Sequence, residues 1–420
     1  MAEDLTVLLP DELMLEVLKY LSPPDRYRAG ATCQRWYRLC ADPAVWRRWH
    51  RRLQLPPMEE RESRIECVSQ TLWREQQATI RMHHLTNDCG IPGDGVLLAW
   101  SPERALVRMP SGGADVWSTE GRGKICSLRA DDEEGSRAAT VLSAHVFDDR
   151  AVTIDGHMGL RVWCLRTGRL LSALSGHGCP VIAMDLDEYL VTGGAEHRLG
   201  IWQAETSRCC GLLDHEPTTP VLVRCRGRRA ITADWYGRAI LWDLVEPRCI
   251  RTLQTFKRGG DRLGCSLQVA ISDAHVAVGA RGGLVWLLSA DTGDQIHEFC
   301  LQESNLFGVA IDSRVLVVSG VSGVASVFSV EPFRRLHFIS VFAAGAYRTV
   351  LRHGLMFVQS DTLIQVFDVE KRRLLHTMPM PPLARRQLSV CRNKVLSVAH
   401  CDSRRDSLCF HIMQVKPPHW

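Results

Sequence analysis

The sequence predicts a small all-α module at the N-terminus, followed by a large all-β domain built from repeats. Residues 8–49 place apolar side chains at helical spacing. Beyond about residue 90 the apolar period falls from about 3.6 residues to about 2, and glycine and aspartate interrupt the pattern roughly every 8 to 12 residues. An aromatic residue that ends an alternating apolar segment then recurs at intervals of 39 to 46 residues. These three observations predict both the fold class and the domain order.

Three short helices are predicted within residues 8–49. The first begins near Pro10, and its apolar positions form two adjoining rows, Leu9, Leu13, Val17 and Leu21 in one and Met14 and Leu18 in the other. Ser22 and Asp42, each followed by proline, are N-cap signals for the second and third helices. The second is expected to carry five residues inward on a single helix, namely Ala29, Cys33, Trp36, Tyr37 and Cys40. A module of about 40 residues cannot bury all of this apolar surface, so we expect some of it to meet a partner or the following domain.

The same segment resembles an F-box. The resemblance rests on four anchors in register, Leu9-Pro10-x-Glu12-Leu13, Leu18-x-x-Leu21, Cys33-x-x-Trp36 and Asp42-Pro43-x-x-Trp46. It departs from the usual pattern at Arg26, where an apolar residue is expected, and at Gly30, which weakens a helix by up to ~1 kcal/mol relative to alanine. The resemblance implies docking on a Skp-family adaptor through Leu9, Pro10, Leu13, Leu18 and Leu21, with Trp36 and Trp46 holding the helices together.

A charged, amphipathic helix is predicted after the module, with Ile65, Val68 and Leu72 on one face and Trp73 beside it. Such a helix would both cover the base of the next domain and hold a fixed separation. We therefore divide the chain into a helical module over 5–52, a helical connector over 53–78 and an all-β domain over 79–418.

The all-β domain has the periodicity of a β-propeller with four strands in each blade. The recurring aromatic residues are Trp117, Trp163, Trp202, Trp242, Trp286, Phe328, Phe367 and Phe410. Trp242-Asp243, Phe367-Asp368 and Gly176-His177 resemble the signatures of WD repeats. Eight blades are favoured, and seven remain possible because the first repeat is the weakest.

The last repeat lacks a final strand, and the alternating segment 79–85 is expected to complete it and so remove an exposed edge. The repeats are degenerate. Six residues before the aromatic, where WD repeats carry an aspartate, only Asp361 fits, and three other repeats have His157, Glu196 and Tyr236. We therefore expect apolar packing between blades, more than polar networks, to stabilise the domain.

Composition argues against several functional classes. A formal net charge of +4 over 420 residues favours neither nucleic acid nor an anionic membrane as a partner. No apolar run approaches the roughly 18 residues that span a bilayer, and the acidic N-terminus does not resemble a signal peptide. Sixteen cysteines without any CxxC spacing predict reduced thiols and a cytoplasmic and/or nuclear location.

No catalytic constellation is apparent, because the HExxH, GxSxG and GxxxxGK[ST] patterns are all missing. His83-His84, with Asp88 and Cys89 nearby, suggest a metal only weakly, since adjacent residues of a strand point to opposite faces. We expect no catalytic residue, no metal and no cofactor.

In this order, the two parts resemble an F-box/WD-repeat substrate receptor of a cullin-based (SCF-type) ubiquitin ligase. That resemblance implies an adaptor, with cullin and a RING subunit behind it, and an unknown protein target held near a conjugating enzyme. Two alternatives stay open: an adaptor-bound scaffold that delivers no target, and a propeller enzyme with a helical cap.

Arginines in the turns between the second and third strands of three repeats, Arg198, Arg238 and Arg281, are candidates for target binding. Arginine forks match phosphate and carboxylate oxygens, so they suggest an acidic or phosphorylated target segment. The competing interpretation is an apolar or mixed peptide surface, because a chain with 45 arginines places several in exposed turns by chance.

Overall fold

The computed structural model describes residues 9–53, 55, 60–75, 78–84, 96–101, 103–109, 111–118, 123–128, 140–147, 149–155, 159–215, 218–254, 267–303, 305–341, 348–360, 363–379, 384–391, 394–400 and 408–415. Over these residues, helices come first and strands follow to the end of the described chain.

The helices of the described chain are α1 Asp11–Leu18, α2 Pro23–Gly30, α3 Gln34–Ala41, α4 Pro43–Arg52 and α5 Glu60–Arg74. Both predicted N-caps are confirmed: Ser22 Oγ accepts a hydrogen bond from the Asp25 amide at 3.3 Å, and the Asp42 side chain accepts one from the Ala44 amide at 2.7 Å. With Asp11, Glu12 and Asp25 in first turns, acidic groups lie at helix N-termini where the dipole favours them.

The prediction of one continuous second helix is wrong. The chain leaves the helix after Gly30, turns, and re-enters one at Gln34, with Cys33 fully extended between the two. Thr32 Oγ1 donates to the Ala29 carbonyl at 2.7 Å, a local bond that competes with continuation of the helix. Gly30 is also a poor helix former, and its Cα faces the Cys40 side chain so closely that a Cβ would lie 3.2 Å from it. The break folds α2 back against α3.

The strands form eight antiparallel sheets of four among the described residues. Blade one comprises β2 Val96–Trp100, β3 Arg104–Arg108, β4 Ala114–Ser118 and β5 Lys124–Leu128, and blade two comprises β6 Val141–Phe147, β7 Arg150–Asp155, β8 Leu160–Cys164 and β9 Leu170–Leu174. Blade three comprises β10 Val181–Leu186, β11 Tyr189–Gly194, β12 Arg198–Gln203 and β13 Cys209–Asp214, and blade four comprises β14 Pro220–Arg226, β15 Arg229–Asp234, β16 Arg238–Asp243 and β17 Arg248–Gln254. Blade five comprises β18 Gln268–Ile271, β19 His275–Gly279, β20 Leu284–Ser289 and β21 Gln295–Cys300. Blade six comprises β22 Leu306–Ile311, β23 Val315–Gly320, β24 Val324–Ser329 and β25 Arg334–Ser340. Blade seven comprises β26 Arg348–Arg352, β27 Leu355–Gln359, β28 Leu363–Asp368 and β29 Arg373–Pro379. Blade eight comprises β30 Ala384–Cys391, β31 Lys394–His400, β32 Leu408–Val415 and, from the other end of the chain, β1 Ala78–His84.

This arrangement is the predicted propeller, with the favoured number of blades. The first strand of each blade packs on strands of the next blade from blade one to blade eight. In blade eight, β1 pairs antiparallel with β32 and places Ile80 opposite Met413. The early segment expected to supply the missing strand thus occupies the edge that β32 would otherwise expose. The domain boundaries 5–52, 53–78 and 79–418 stay predictions.

The helices and blade seven share one apolar core. Val45 and Trp46 of α4 and Val68 of α5 are buried in the same cluster as Phe357 and Val366 of blade seven. The helical module is therefore packed against the propeller through α5.

Candidate functional site

The N-terminal helix α1 has two apolar faces with opposite environments. Met14 and Leu18 point into the core and are buried. Leu13 and Val17, four residues apart, lie on the other side of the helix, and Tyr20 follows in the turn after it; they are 53 %, 50 % and 78 % exposed. We call these three residues the α1 stripe. An exposed apolar stripe of this kind is a candidate contact surface for another molecule.

The five residues predicted to contact an adaptor differ in their solvent exposure. Pro10 and Leu13 are exposed, whereas Leu9 and Leu21 are half-buried against the helical core. Leu18 has no exposed surface, so in this fold it supports the helix from inside and presents nothing to a partner. Val17 and Tyr20 were not among the predicted contacts, although Val17 belongs to the apolar row that also contains Leu13.

A charged cluster fixes the start of α1 on α3. Asp11 accepts hydrogen bonds from Arg35 at 2.8 Å and from Arg38 at 2.5 Å, and Arg35 also donates to the Leu9 carbonyl. These hydrogen bonds, above all the one from Arg35, hold the pKa of Asp11 below its usual value. The cluster positions Leu9 and Pro10 at the edge of the α1 stripe.

Arg26 organises the other end of α1 from within the core. Its side chain is completely buried, and its guanidinium donates to the carbonyls of Leu18 at 2.9 Å, Val45 at 2.6 Å and Leu21 at 3.0 Å. The guanidinium also lies 4.9 Å from the centroid of the Trp46 ring, whose face attracts a cation. Burial lowers the pKa of Arg26 to about 10, so it stays charged at neutral pH. The departure from the F-box pattern is thus a structural cation that joins α1, α2 and α4.

The two tryptophans assigned to holding the helices together lie where that assignment requires. Trp46 is buried and donates from Nε1 to the Cys40 carbonyl at 2.7 Å, which links α4 to α3. Trp36 is half-buried and packs against the same core.

Helix α5 attaches this module to blade seven through polar and aromatic contacts. The buried carboxylate of Glu66 lies 3.2 Å from Arg352 Nη2, and Gln70 Nε2 donates to it at 2.9 Å. Arg74 donates to the His353 carbonyl at 2.9 Å. Trp73 packs edge-on against Phe357, with ring centroids 5.8 Å apart. These contacts set the orientation of the α1 stripe relative to the propeller.

The three arginines predicted to read a target occupy one end of three consecutive blades. Arg198 and Arg238 are the first residues of the third strands of blades three and four, and Arg281 lies in the corresponding turn of blade five. Arg198 and Arg281 are exposed, and Arg238 is half-buried. Arg198 pairs with Asp214 at 3.3 Å, and both side chains are exposed.

Polar networks are better developed in the blades than the sequence suggested. In blade three, Thr192 Oγ1 accepts from Trp202 Nε1 at 3.0 Å and lies 2.8 Å from His177 Nε2, while His177 Nδ1 contacts Glu196. Glu196 thus fills the position where the repeat pattern has an aspartate. Its side chain is longer by one methylene, and its carboxylate still contacts the histidine. A polar network therefore accompanies the apolar packing in this blade, and the greater contribution of apolar packing to stability stays a prediction.

Blade four repeats the arrangement. Thr232 Oγ1 accepts from Trp242 Nε1 at 2.9 Å and lies 2.8 Å from His215 Nε2. Here the aspartate stands two residues before the expected position: Asp234 accepts from Thr218 and from the amides of the turn that follows. Burial lowers the pKa of His215, which favours its neutral form.

In the part of the chain that the structure describes, no group of three or more His, Cys, Asp or Glu residues could hold a metal ion. None of the described helices is long and apolar enough to cross a membrane.

The helical module resembles known proteins in sequence. Residues 6–52 match the F-box-like family. A stretch of 52 residues is 46 % identical to F-box/WD repeat-containing protein 7 of Drosophila melanogaster. With the eight-bladed fold already described, the chain has the architecture of an F-box/WD-repeat protein. The matched stretch is 12 % of this chain and 4 % of that relative, so the F-box/WD-repeat architecture does not by itself carry over the relative's activity or partners.

Solved structures show the same propeller. Sqt1 of Saccharomyces cerevisiae superposes with a TM-score of 0.60 at 10 % identity, covering 80 % of this chain and 98 % of Sqt1. The computationally designed Ika8 protein superposes with a TM-score of 0.60 at 17 % identity, covering 76 % of this chain and 96 % of its own. At these identities the likeness concerns the fold alone.

Proposed function

We propose that this protein is the substrate-recognition subunit of an SCF-type ubiquitin ligase. Its F-box-like module docks on a Skp-family adaptor, which links it to cullin and a RING subunit, and its propeller holds a target protein. The chain itself performs no bond chemistry. It raises the effective concentration of the target at the conjugating enzyme.

The observation that carries this proposal is the division of α1 into a buried and an exposed face. Met14 and Leu18 are covered by the chain's own core, whereas the α1 stripe remains uncovered on a module that matches the F-box-like family. Two exposed apolar side chains four residues apart on a helix, extended by Tyr20 in the turn that follows, suit a grooved partner surface. The residues we assign to the contact are therefore Pro10 and the α1 stripe, with Leu9 and Leu21 at its margin.

The contacts of α5 support the same function mechanically. A target bound on the propeller is presented productively only if the adaptor and the target keep a constant relative position. Glu66, Trp73 and Arg74 tie the module to blade seven at three separate points, which restricts rotation of one part against the other.

The proposed location is the cytoplasm and/or the nucleus. Eleven cysteines of the described chain are free thiols, among them the exposed neighbours Cys209 and Cys210. Burial raises the pKa of the Cys40 thiol to about 11 and that of Cys67 to about 12, so these two thiols stay protonated inside the helical core.

Affinity purification of the full chain from cells tests the proposal. The wild type should retain a Skp-family adaptor and cullin together, and Leu13→Asp/Val17→Asp should lose both while its propeller still folds. Depletion of the protein should then raise the abundance of proteins that bind the propeller. An adaptor-bound chain whose partners keep constant abundance and half-life would show a non-degradative scaffold, and wild type without adaptor would contradict the proposal entirely.

A further inference from the structure

Several first strands of the propeller carry a β-bulge close to their start. The pairing register shifts by one residue in blades one, two, three, four and six, and the bulged residue is apolar each time: Leu98, Leu142, Ile182, Val221 and Phe307. A bulge turns one side chain out of the regular alternation of a strand. Such bulges commonly re-aim a side chain beside a functional site.

These bulged residues lie at the same end of the propeller as the turns between second and third strands. The Val141 amide at the start of blade two donates to the Gly112 carbonyl in that turn of blade one at 3.0 Å. Thr219, just before blade four, lies 2.9 Å from His197 in the same turn of blade three. In blades two and four, the first strand therefore starts beside the turn of the preceding blade.

Blades two, three and four present an uncovered apolar arc on this face. Leu142, Ile182, Trp235 and Tyr236 are each about half exposed or more. Leu142 and Ile182 are bulged residues of adjacent blades, and Trp235 and Tyr236 form the turn of the next one. Four large apolar side chains on one face of consecutive blades exceed the scattered exposure of an ordinary surface. Tryptophan and tyrosine are also the residue types that most often dominate binding energy.

The exposed charges beside the arc include two arginines and one aspartate. The carboxylates of Glu196 and Asp234 are turned inward, onto His177 and onto Thr218 with the turn amides. Arg198 is exposed in blade three, within the arc, and Arg281 is exposed in the adjacent blade five. Asp214 is the acidic neighbour of Arg198, but both partners of that pair are exposed, so water and salt screen it and a ligand carboxylate can replace it.

We infer that this arc binds an extended target segment that carries an apolar or aromatic anchor next to acidic residues. The anchor packs on the arc, and the carboxylates face the arginines of blades three and five. The inference deepens the proposed function, since it assigns the target class to the propeller face. It places the main binding energy on the apolar arc and assigns the arginines the orientation and salt dependence of binding.

A random peptide phage library tests this directly, with the purified full chain as bait and counter-selection on Trp235→Ser/Tyr236→Ser. The enriched peptides should share an apolar or aromatic residue flanked by Asp or Glu. One such peptide, synthesised with a fluorophore, should then bind the wild type and lose affinity about tenfold or more with Ile182→Ser or Trp235→Ser. Leu171→Ser, an equally exposed leucine on the outer strand of blade two, is the matched control and should change affinity less than about twofold.

Charge reversal separates the contribution of the arginines to binding from that of the apolar arc. Arg198→Glu/Arg281→Glu should weaken binding a few-fold and flatten its salt dependence. No enrichment, a basic or purely polar consensus, or equal binding by the arc variants and the control would overturn the inference. Adaptor binding is measured on the same variants: if it persists while the arc fails, the proposed function survives, and if it is absent in every variant, the proposed function fails independently.

Discussion

The carboxylate of Glu66 in α5 and the guanidinium of Arg352 in blade seven form an ion pair of 3.2 Å across 286 residues of sequence. Glu66 is buried, while Arg352 remains about one-third exposed. Gln70 donates to the same carboxylate, and His353 Nε2 lies 3.6 Å from it. The pair is one of several polar links between α5 and the propeller, and both of its partners come from elements that also share the apolar core.

Removing the charge at Glu66 should loosen this link. We expect Glu66→Gln to lower the free energy of unfolding by about 1–3 kcal/mol, since Arg352 then faces a neutral amide in a half-buried position. Urea denaturation and a double-mutant cycle with Arg352→Met measure the coupling. The matched control is Glu16→Gln, which removes the exposed pair with Lys19 and should cost about 0.5 kcal/mol or less. Equal effects at both positions would show that Glu66 contributes nothing specific.

Arg26 should tolerate little change. Arg26→Met keeps most of the volume but removes one hydrogen-bond donor from each of the carbonyls of Leu18, Leu21 and Val45, and we expect the free energy of unfolding to fall by about 3 kcal/mol. Thermal unfolding followed by circular dichroism measures it. Arg28, two residues along the same helix and exposed, is the comparison: Arg28→Met should lose about 0.5 kcal/mol at most. An Arg26 variant as stable as the Arg28 variant would refute the organising role.

The polar network of blade four makes a third prediction. Thr232→Val preserves shape but removes the oxygen shared by Trp242 and His215, so it should lower stability by about 1–3 kcal/mol. Thr192→Val should do the same in blade three. Thr206→Val, in an exposed turn, serves as the control and should be near neutral. Loss confined to one of the two blades would mean that the networks are not equivalent.

Stability should fall in mild acid. Burial lowers the pKa of His215, His353 and His376 below their ordinary value of about 6.5, so folding favours their neutral forms. Their contribution to the free energy of unfolding is complete above about pH 6.5 and is lost as the pH falls through the lowered pKa values of the folded protein. Unfolding measured from pH 8 to pH 5 should show this decline. His376→Gln keeps a donor for the Trp73 carbonyl without the titration, and should decline less steeply than the wild type. An identical slope would exclude His376 as a contributor.

Periodicity made the propeller predictable. An aromatic residue near the end of the third strand recurs in each repeat, so positions such as Trp202 and Trp242 predict a propeller and favour eight blades. The strand exchange was predictable for a related reason: the last repeat lacked a strand, and the alternating segment after the connector was available to pair.

The environment of single side chains was much less predictable. Arg26 looked like a defect in an apolar position, because its three carbonyl partners come from helix ends that only tertiary folding brings together. Leu13 and Leu18 are both apolar residues of α1, and the choice of which one faces outward depends on the packing of α3 and α4 against that helix. Glu196 was discounted because a fixed spacing cannot show that a longer side chain reaches the same histidine.

The affinity of a purified Skp-family adaptor for the full chain, measured by isothermal titration calorimetry, tests the central claim most directly. Leu13→Asp and Val17→Asp place charges on the α1 stripe and should each weaken binding at least about 100-fold, because an unpaired carboxylate would be buried at the interface. Leu171→Asp, equally exposed but on the propeller, should bind like the wild type. Wild-type affinity in both stripe variants, with their unfolding temperatures unchanged, would contradict the account.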